Sequence, residues 1–230
     1  MKINGAKRVI VVSSGKGGSG KSTITVLLAH ALKNAGYSVG ILDCDITGSS
    51  IPLLLGEVDE DTYCLTADSN IVPAKINGFQ VMSMALLSTD ESIPLLWESD
   101  YISHIISQTF SDIEWDVDIL LFDVPPGSGI INRRIVNDVE NARYVFVSIS
   151  QEIVRHDVIK SINMIKYFGG NIIGMIENFA VENNDVIKKI ENETGVHLIG
   201  KIPKLPLTGD KIDYDSLNTE FMDNIVKAVL

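Results

Sequence analysis

Nine residues set the tightest limit on what this chain can fold into. Gly15-Lys16-Gly17-Gly18-Ser19-Gly20-Lys21-Ser22-Thr23 follows the β-branched run Val9 to Ser13 and leads into apolar residues at helical spacing, Ile24, Leu27, Leu28 and Ala31. Strand, glycine-rich loop and helix in that order satisfy G-x-x-x-x-G-K-[ST] in the context the motif requires. Gly15, Gly17, Gly18, Ser19 and Gly20 let backbone N–H groups turn inward around phosphate oxygens, and the helix N-terminus adds partial positive charge. Lys21 is then placed to reach β and γ phosphates, Ser22 to put its hydroxyl on a bridging magnesium ion, and Thr23 to donate to the α-phosphate. The ligands this implies are ATP or ADP with Mg2+.

The remainder of the chain continues the alternation. Short β-branched runs recur at Val39 to Asp43, Phe79 to Met84, Ile119 to Asp123, Tyr144 to Ile149, Asn171 to Ile176 and His197 to Ile202. Between them, Ser22 to Ala35, Pro94 to Phe110, Ile153 to Phe168 and Asn184 to Glu193 carry apolar residues at helical spacing. This pattern predicts an α/β fold, doubly wound, with a mainly parallel sheet covered by helices on both faces. Gly36, Gly169-Gly170 and Gly195 read as left-handed C-terminal caps. The polar stretch Glu57 to Asn77 is irregular, with a small hairpin expected at Thr62 to Leu65 and Ile71 to Ala74. No fixed-period repeat or Pro/Ser-rich linker divides the chain, so residues 1–230 read as one domain.

A magnesium–nucleotide site needs a carboxylate at the end of a neighbouring strand. Asp118-Ile119-Leu120-Leu121-Phe122-Asp123 supplies one, making Asp123 the Walker B candidate. Val124-Pro125-Pro126-Gly127-Ser128-Gly129 follows, with prolines that stiffen the exit and Gly127 placed to bring a backbone N–H to the γ-phosphate, as a switch II segment does. A second strand ends in Asp43 and runs into Asp45, two carboxylates at alternate positions on one face. Cys44 between them reads as a small core-facing hydrophobe.

Lys16 is not needed to cradle phosphates within one subunit, and here the loop resembles the deviant Walker A motif of MinD, ParA, nitrogenase iron protein and Mrp-type ATPases. The resemblance implies a homodimer closed across ATP, with Lys16 crossing to the partner's nucleotide to neutralise charge on the transferring phosphoryl group. It implies that Asp43 sits beside the phosphates and that Asp45 orients the attacking water while staying ionised near magnesium. Asp43-Cys44-Asp45-Ile46-Thr47-Gly48-Ser49-Ser50-Ile51-Pro52 and Asp123-Val124-Pro125-Pro126-Gly127-Ser128-Gly129 are similar to the switch signatures of the Mrp branch, whose members include iron–sulfur cluster carriers. Ile176-Glu177-Asn178 is similar to that branch's "ENM" position, which implies that the Asn178 amide reads adenine with Pro203 packing nearby. Asn178 on spacing alone is a strand-end turn former. Two departures stand out: Phe179 to Asn184 carries no cysteine pair, which leaves a bridging iron–sulfur cluster without evident thiolates, and Glu98 replaces an arginine typical of the family next to Trp97.

The 19 Lys+Arg against 30 Asp+Glu give a net charge of −11, so no whole-molecule field draws the chain toward nucleic acid or anionic lipid, and neither is an expected partner. Two cysteines, Cys44 and Cys64, show neither CxxC nor zinc-like spacing and fit a reducing compartment. His30, His104, His156 and His197 have no ligand-pair spacing and read as structural. No apolar stretch is long enough to span a membrane, and the N-terminus lacks a secretory pattern, so a soluble, cytoplasmic protein is expected. The amphipathic stretch Asn218 to Leu230 has one basic residue, Lys227, a weak electrostatic anchor. Three functions stay open at this point: an Mrp-like ATP-driven switch acting on a client protein, a ParA/MinD-like positioning ATPase, and an ATP-dependent small-molecule kinase or synthetase.

Overall fold

Val9 through Ser14 are all buried, a run possible only where a strand has both faces covered. In the computed structural model this strand, β1 (Ala6–Ser14), lies inside an eight-stranded sheet. Val9 and Val11 pack into one core layer, and Ile10 and Val12 into the layer on the opposite face. The structure describes residues 2–45, 49–56, 64–65, 71–83, 113–127, 129–182, 185–205, 214 and 220–230.

The chain continues through α1 (Lys21–Asn34), β2 (Val39–Asp43), α2 (Ile51–Leu55), β3 (Cys64–Leu65), β4 (Ile71–Val72), β5 (Ala74–Ile76) and β6 (Phe79–Ser83). After them come β7 (Val117–Asp123), α3 (Ile130–Asp138), β8 (Arg143–Ile149), α4 (Glu152–Tyr167), β9 (Asn171–Asn178), α5 (Val186–Thr194), β10 (Leu198–Ile202) and α6 (Glu220–Val229). The strand order is β10-β9-β8-β1-β7-β2-β6-β5, parallel throughout except for β5 against β6. The doubly wound, mainly parallel sheet expected from the sequence is therefore present. Each predicted run has its strand, with β9 continuing two residues further to Asn178.

The order places the phosphate-loop motif where such folds bind ligands. β1 is flanked by β7 and β8, so the loop after it opens at the carboxyl ends of three adjacent parallel strands. Gly36, Gly169 and Gly195 follow their helices with φ of 93°, 81° and 66°, the left-handed values expected of C-terminal caps.

Three features differ from the sequence expectation. The helices α2 and α3 were not foreseen: α2 is only five residues long, and α3 begins right after the Pro-Pro-Gly turn. The expected hairpin reduces to Cys64–Leu65 against Ile71–Val72, while Ala74 belongs to β5 and pairs with Val81 of β6. Asn77-Gly78 joins β5 to β6 with φ of 50° and 77°, the two successive positive values of a tight hairpin turn. The helix expected at Pro94 to Phe110, with Trp97 and Glu98, lies outside the described residues.

The amphipathic C-terminal stretch forms α6, and its apolar side is spent inside the molecule. Met222, Ile225, Val226 and Val229 are buried in the layer that contains α1. Gly200 of β10 leaves the room that Ile225 fills. Arg8 and Arg143 each donate to the Leu230 carbonyl at the helix end, at 3.0 and 3.4 Å. No described helix is long and apolar enough to cross a membrane.

Candidate functional site

The loop between β1 and α1 is shaped by where side chains cannot go. A Cβ on Gly15 would collide with the backbone of Asp157 and Val158 in α4, and one on Gly20 with the Asn178 amide. Gly18 and Gly20 hold φ of 81° and 80°, conformations that favour glycine. Gly20 is also the N-cap of α1 and has no side chain to satisfy the first helical N–H groups. Those donors, left open at the positive end of the helix dipole, suit a phosphate anion.

Beneath the loop lies a buried hub centred on Asp123. Lys21 Nζ approaches Oδ1 at 2.8 Å, with side-chain exposures of 7% and 1%, so the ion pair is shielded from solvent. Ser22 Oγ donates to Oδ2 at 2.6 Å and Thr25 Oγ1 donates to Oδ1 at 3.1 Å. A buried carboxylate is tolerable only with such compensation. Thr25 was missed by sequence reasoning, although its place one helical turn after Lys21 was a usable signal.

Asp43 stands directly across from Asp123 in the parallel register of β2 and β7. It is fully buried and faces hydroxyls and an N–H: Ser49 Oγ, Ser83 Oγ at 3.4 Å and the Asp45 backbone N–H at 3.0 Å. Burial pushes its carboxyl up to about 6; Asp123 adds to the rise, while the Ser49 and Asp45 hydrogen bonds and Lys21 oppose it. Ser49 and Ser83, whose hydroxyls are 2.6 Å apart, are the second group that sequence reasoning missed.

Gly17, Gly18, Ser19, Gly20, Lys21, Ser22 and Thr23 line one cleft of ≈ 310 Å³ together with Asp45, Ser50, Leu54 and Pro126. Most of the predicted site is thus brought together. Lys16 is exposed and not among the lining residues. Gly127 has φ 86°, and its N–H donates to the Ser14 carbonyl at 2.7 Å. Asn178 is buried and donates from Nδ2 to the Ser19 carbonyl at 2.8 Å, bracing the loop from behind. Pro203 is exposed at the end of β10. Ile46, Thr47, Gly48 and Ser128 lie outside the described residues.

The donor set suits one cofactor and not another. Ser22 Oγ and the Asp123 and Asp45 carboxylates are hard oxygen donors of the kind Mg2+ takes beside phosphates. Cys44 is 3% exposed, and burial, with Asp43 and Asp123 adding to it, pushes its thiol well above the usual range. Cluster ligation needs a thiolate, so Cys44 does not fit that role. The Cys64 side chain lies outside the description.

Comparison with known proteins agrees with this geometry. Residues 5–219 match the family model described as ParA, NUBPL iron-transfer P-loop NTPase. The chain is 38% identical over 214 residues to an iron-sulfur cluster carrier protein of Methanocaldococcus jannaschii, covering 86% of this chain and 72% of that one. An iron-sulfur cluster carrier protein of Aquifex aeolicus is 31% identical over 227 residues, covering 92% of this chain, which spans 62% of that relative's length. Among solved structures, an ADP-bound nucleotide-binding protein from Archaeoglobus fulgidus superposes with a TM-score of 0.70 at 29% identity, covering 86% of this chain and 82% of that one. MinD of Pyrococcus horikoshii with Mg-ADP gives 0.61 at 22% identity, covering 88% and 82%, a likeness of fold. The fold, the phosphate loop and a family match over nearly the whole chain converge: the chain belongs to the ParA/NUBPL family of iron-transfer P-loop NTPases, as an Mrp-type member with a deviant Walker A loop.

Proposed function

We propose that this chain is an ATP-hydrolysing switch that closes as a homodimer across Mg-ATP and uses turnover to change its affinity for a client protein. The observation that carries this reading is the division of the two loop lysines. Lys21 is buried against Asp123 beneath the loop, whereas Lys16 is exposed outside the cleft lining, available to a second subunit.

The residues divide the reaction in a consistent way. The N–H groups of Gly17 to Thr23 and the Lys21 ammonium hold the phosphates. Asn178 braces the loop, and its amide is the candidate reader of adenine, with Pro203 nearby. Asp45, which lines the cleft, orients a water whose oxygen attacks the γ-phosphorus. The bond to the β,γ-bridging oxygen breaks, leaving ADP and inorganic phosphate. Lys16 from the second subunit and the Gly127 N–H meet the charge that develops on the γ-oxygens. Ser22, Asp123 and Asp45 supply the oxygens for magnesium, which when bound draws charge from the β and γ oxygens.

The cargo named for the relatives supports a client in iron–sulfur cluster traffic. Because Cys44 is buried and burial pushes its thiol well above the usual range, no cluster step is assigned to it. A membrane-positioning role has less support, since the apolar side of α6 is buried in the core. The test is ATPase activity against protein concentration. Wild-type specific activity rises with concentration as dimers form; Lys16→Ala retains Mg-ATP binding and loses that concentration-dependent activity by about 100-fold or more. Unchanged specific activity in Lys16→Ala at all concentrations removes the trans-lysine reading.

A further inference from the structure

Asn132, in the first turn of α3, is 1% exposed, and its Nδ2 donates to the carbonyl oxygens of Pro125 at 3.3 Å and Gly127 at 2.9 Å. Carbonyl oxygens only accept, so these two partners fix which end of the amide faces the turn. The other end, Oδ1, is buried and has no hydrogen-bond partner among the described residues. Buried polar atoms left without partners are rare and call for a reason. α3 is pinned here as well, because the buried Tyr144 hydroxyl donates to the Asn132 main-chain carbonyl at 3.1 Å.

The two carbonyls that Asn132 holds lie on either side of the Pro126–Gly127 peptide. That peptide carries the Gly127 N–H, which donates to Ser14 at the end of β1. The turn is therefore gripped from both sides, its N–H by β1 and its carbonyls by α3. For the Gly127 N–H to serve a γ-phosphate, it gives up the Ser14 carbonyl and its peptide rotates, a motion that the two Asn132 hydrogen bonds oppose.

We propose that Asn132 is a positioning residue that latches the Pro-Pro-Gly turn with its Gly127 N–H on the Ser14 carbonyl, so that a γ-phosphate binds only by releasing the latch. The inference rests on the reading of Gly127 as a γ-phosphate donor. ADP has no γ-phosphate and does not require the release, so the latch selectively weakens triphosphate binding. A ligand shifts such an equilibrium only by its differential affinity for the two states.

The experiment is calorimetric titration of Mg-ADP and a non-hydrolysable Mg-ATP analogue into wild type, Asn132→Ala and Asn132→Ser, with thermal melts to verify folding. Both variants are expected to bind the analogue about tenfold more tightly than wild type while ADP affinity stays within about twofold, the scale set by losing two hydrogen bonds. Amide NMR of the wild type gives a reading that needs no variant: the Gly127 N–H and Asn132 side-chain NH2 resonances move with the analogue and not with ADP. If Gly127 responds to the analogue but the Asn132 side chain does not, or the analogue-to-ADP affinity ratio is unchanged or lower in both variants, the latch is overturned and the Gly127 reading survives. A Gly127 resonance identical in the ADP and analogue complexes removes that reading and the latch with it.

Discussion

β2 and β7 lie side by side, end in aspartates at the same register level, and treat those aspartates in opposite ways. Asp123 at the end of β7 is met by an ammonium and two hydroxyls. Asp43 at the end of β2 is met by hydroxyls and one backbone N–H, and faces the charge of Asp123. The first has a buried counter-charge against it; the second has none in contact, and burial raises its carboxyl. Equal burial thus has unequal consequences, because one cation serves two carboxylates and sits on only one of them.

The largest effect is expected from removing that cation. Lys21→Ala should weaken Mg-ATP binding by about 100-fold or more, since a charge-assisted phosphate contact is lost. It should also cost about 3–5 kcal/mol of stability, because Asp123 stays buried without its counter-charge. Adding Asp123→Asn to Lys21→Ala should recover most of that stability and none of the binding. Chemical denaturation and calorimetry on the three variants separate the two contributions.

Asp43 is expected to show itself through pH. Its carboxyl is raised in the folded chain from 3.8 to about 6, so its contribution favours the fold fully below pH 3.8 and is lost as pH rises through about 6. Asp43→Asn should therefore flatten the decline in melting temperature between about pH 4 and pH 7. An unchanged pH profile in this variant would show that the carboxyl is not raised and that the two strand ends are alike.

The smallest effect sharpens the same contrast. The Ser49 hydrogen bond lowers the Asp43 carboxyl against the pull of burial. Ser49→Ala should raise its titration midpoint by about one pH unit, the equivalent of about 1.4 kcal/mol, read from the carboxyl carbon resonance of Asp43. The Asp123 resonance should hardly move.

How much of this was legible in the sequence depends on whether the cause was local. The phosphate loop, Asp123 and the parallel strands follow from short-range patterns of glycine, β-branched residues and a terminal carboxylate. Asn77-Gly78 is a strong local turn signal, but the irregular reading of Glu57 to Asn77 ends between its two residues and splits the pair. α3 was obscured because Pro125, Pro126 and the glycines before it look like loop, and nine residues give a weak periodic signal. Ser83 and Asn132 were hidden for another reason. Each acts through a partner distant in sequence or through a turn geometry, and such hydrogen bonds leave no spacing to read. Asn178 shows the converse: resemblance singled it out, while its bond to the Ser19 carbonyl appears only once β9 and the loop are brought together.

The three-residue β5 has one further meaning. A sheet rim presents unpaired N–H and carbonyl groups, a template on which another copy can build. Among the described residues the rim turns back through Asn77-Gly78, stops after three residues, and carries an exposed lysine, Lys75, between buried Ala74 and Ile76. Strand-by-strand polymerisation thus finds little foothold on this side of the molecule.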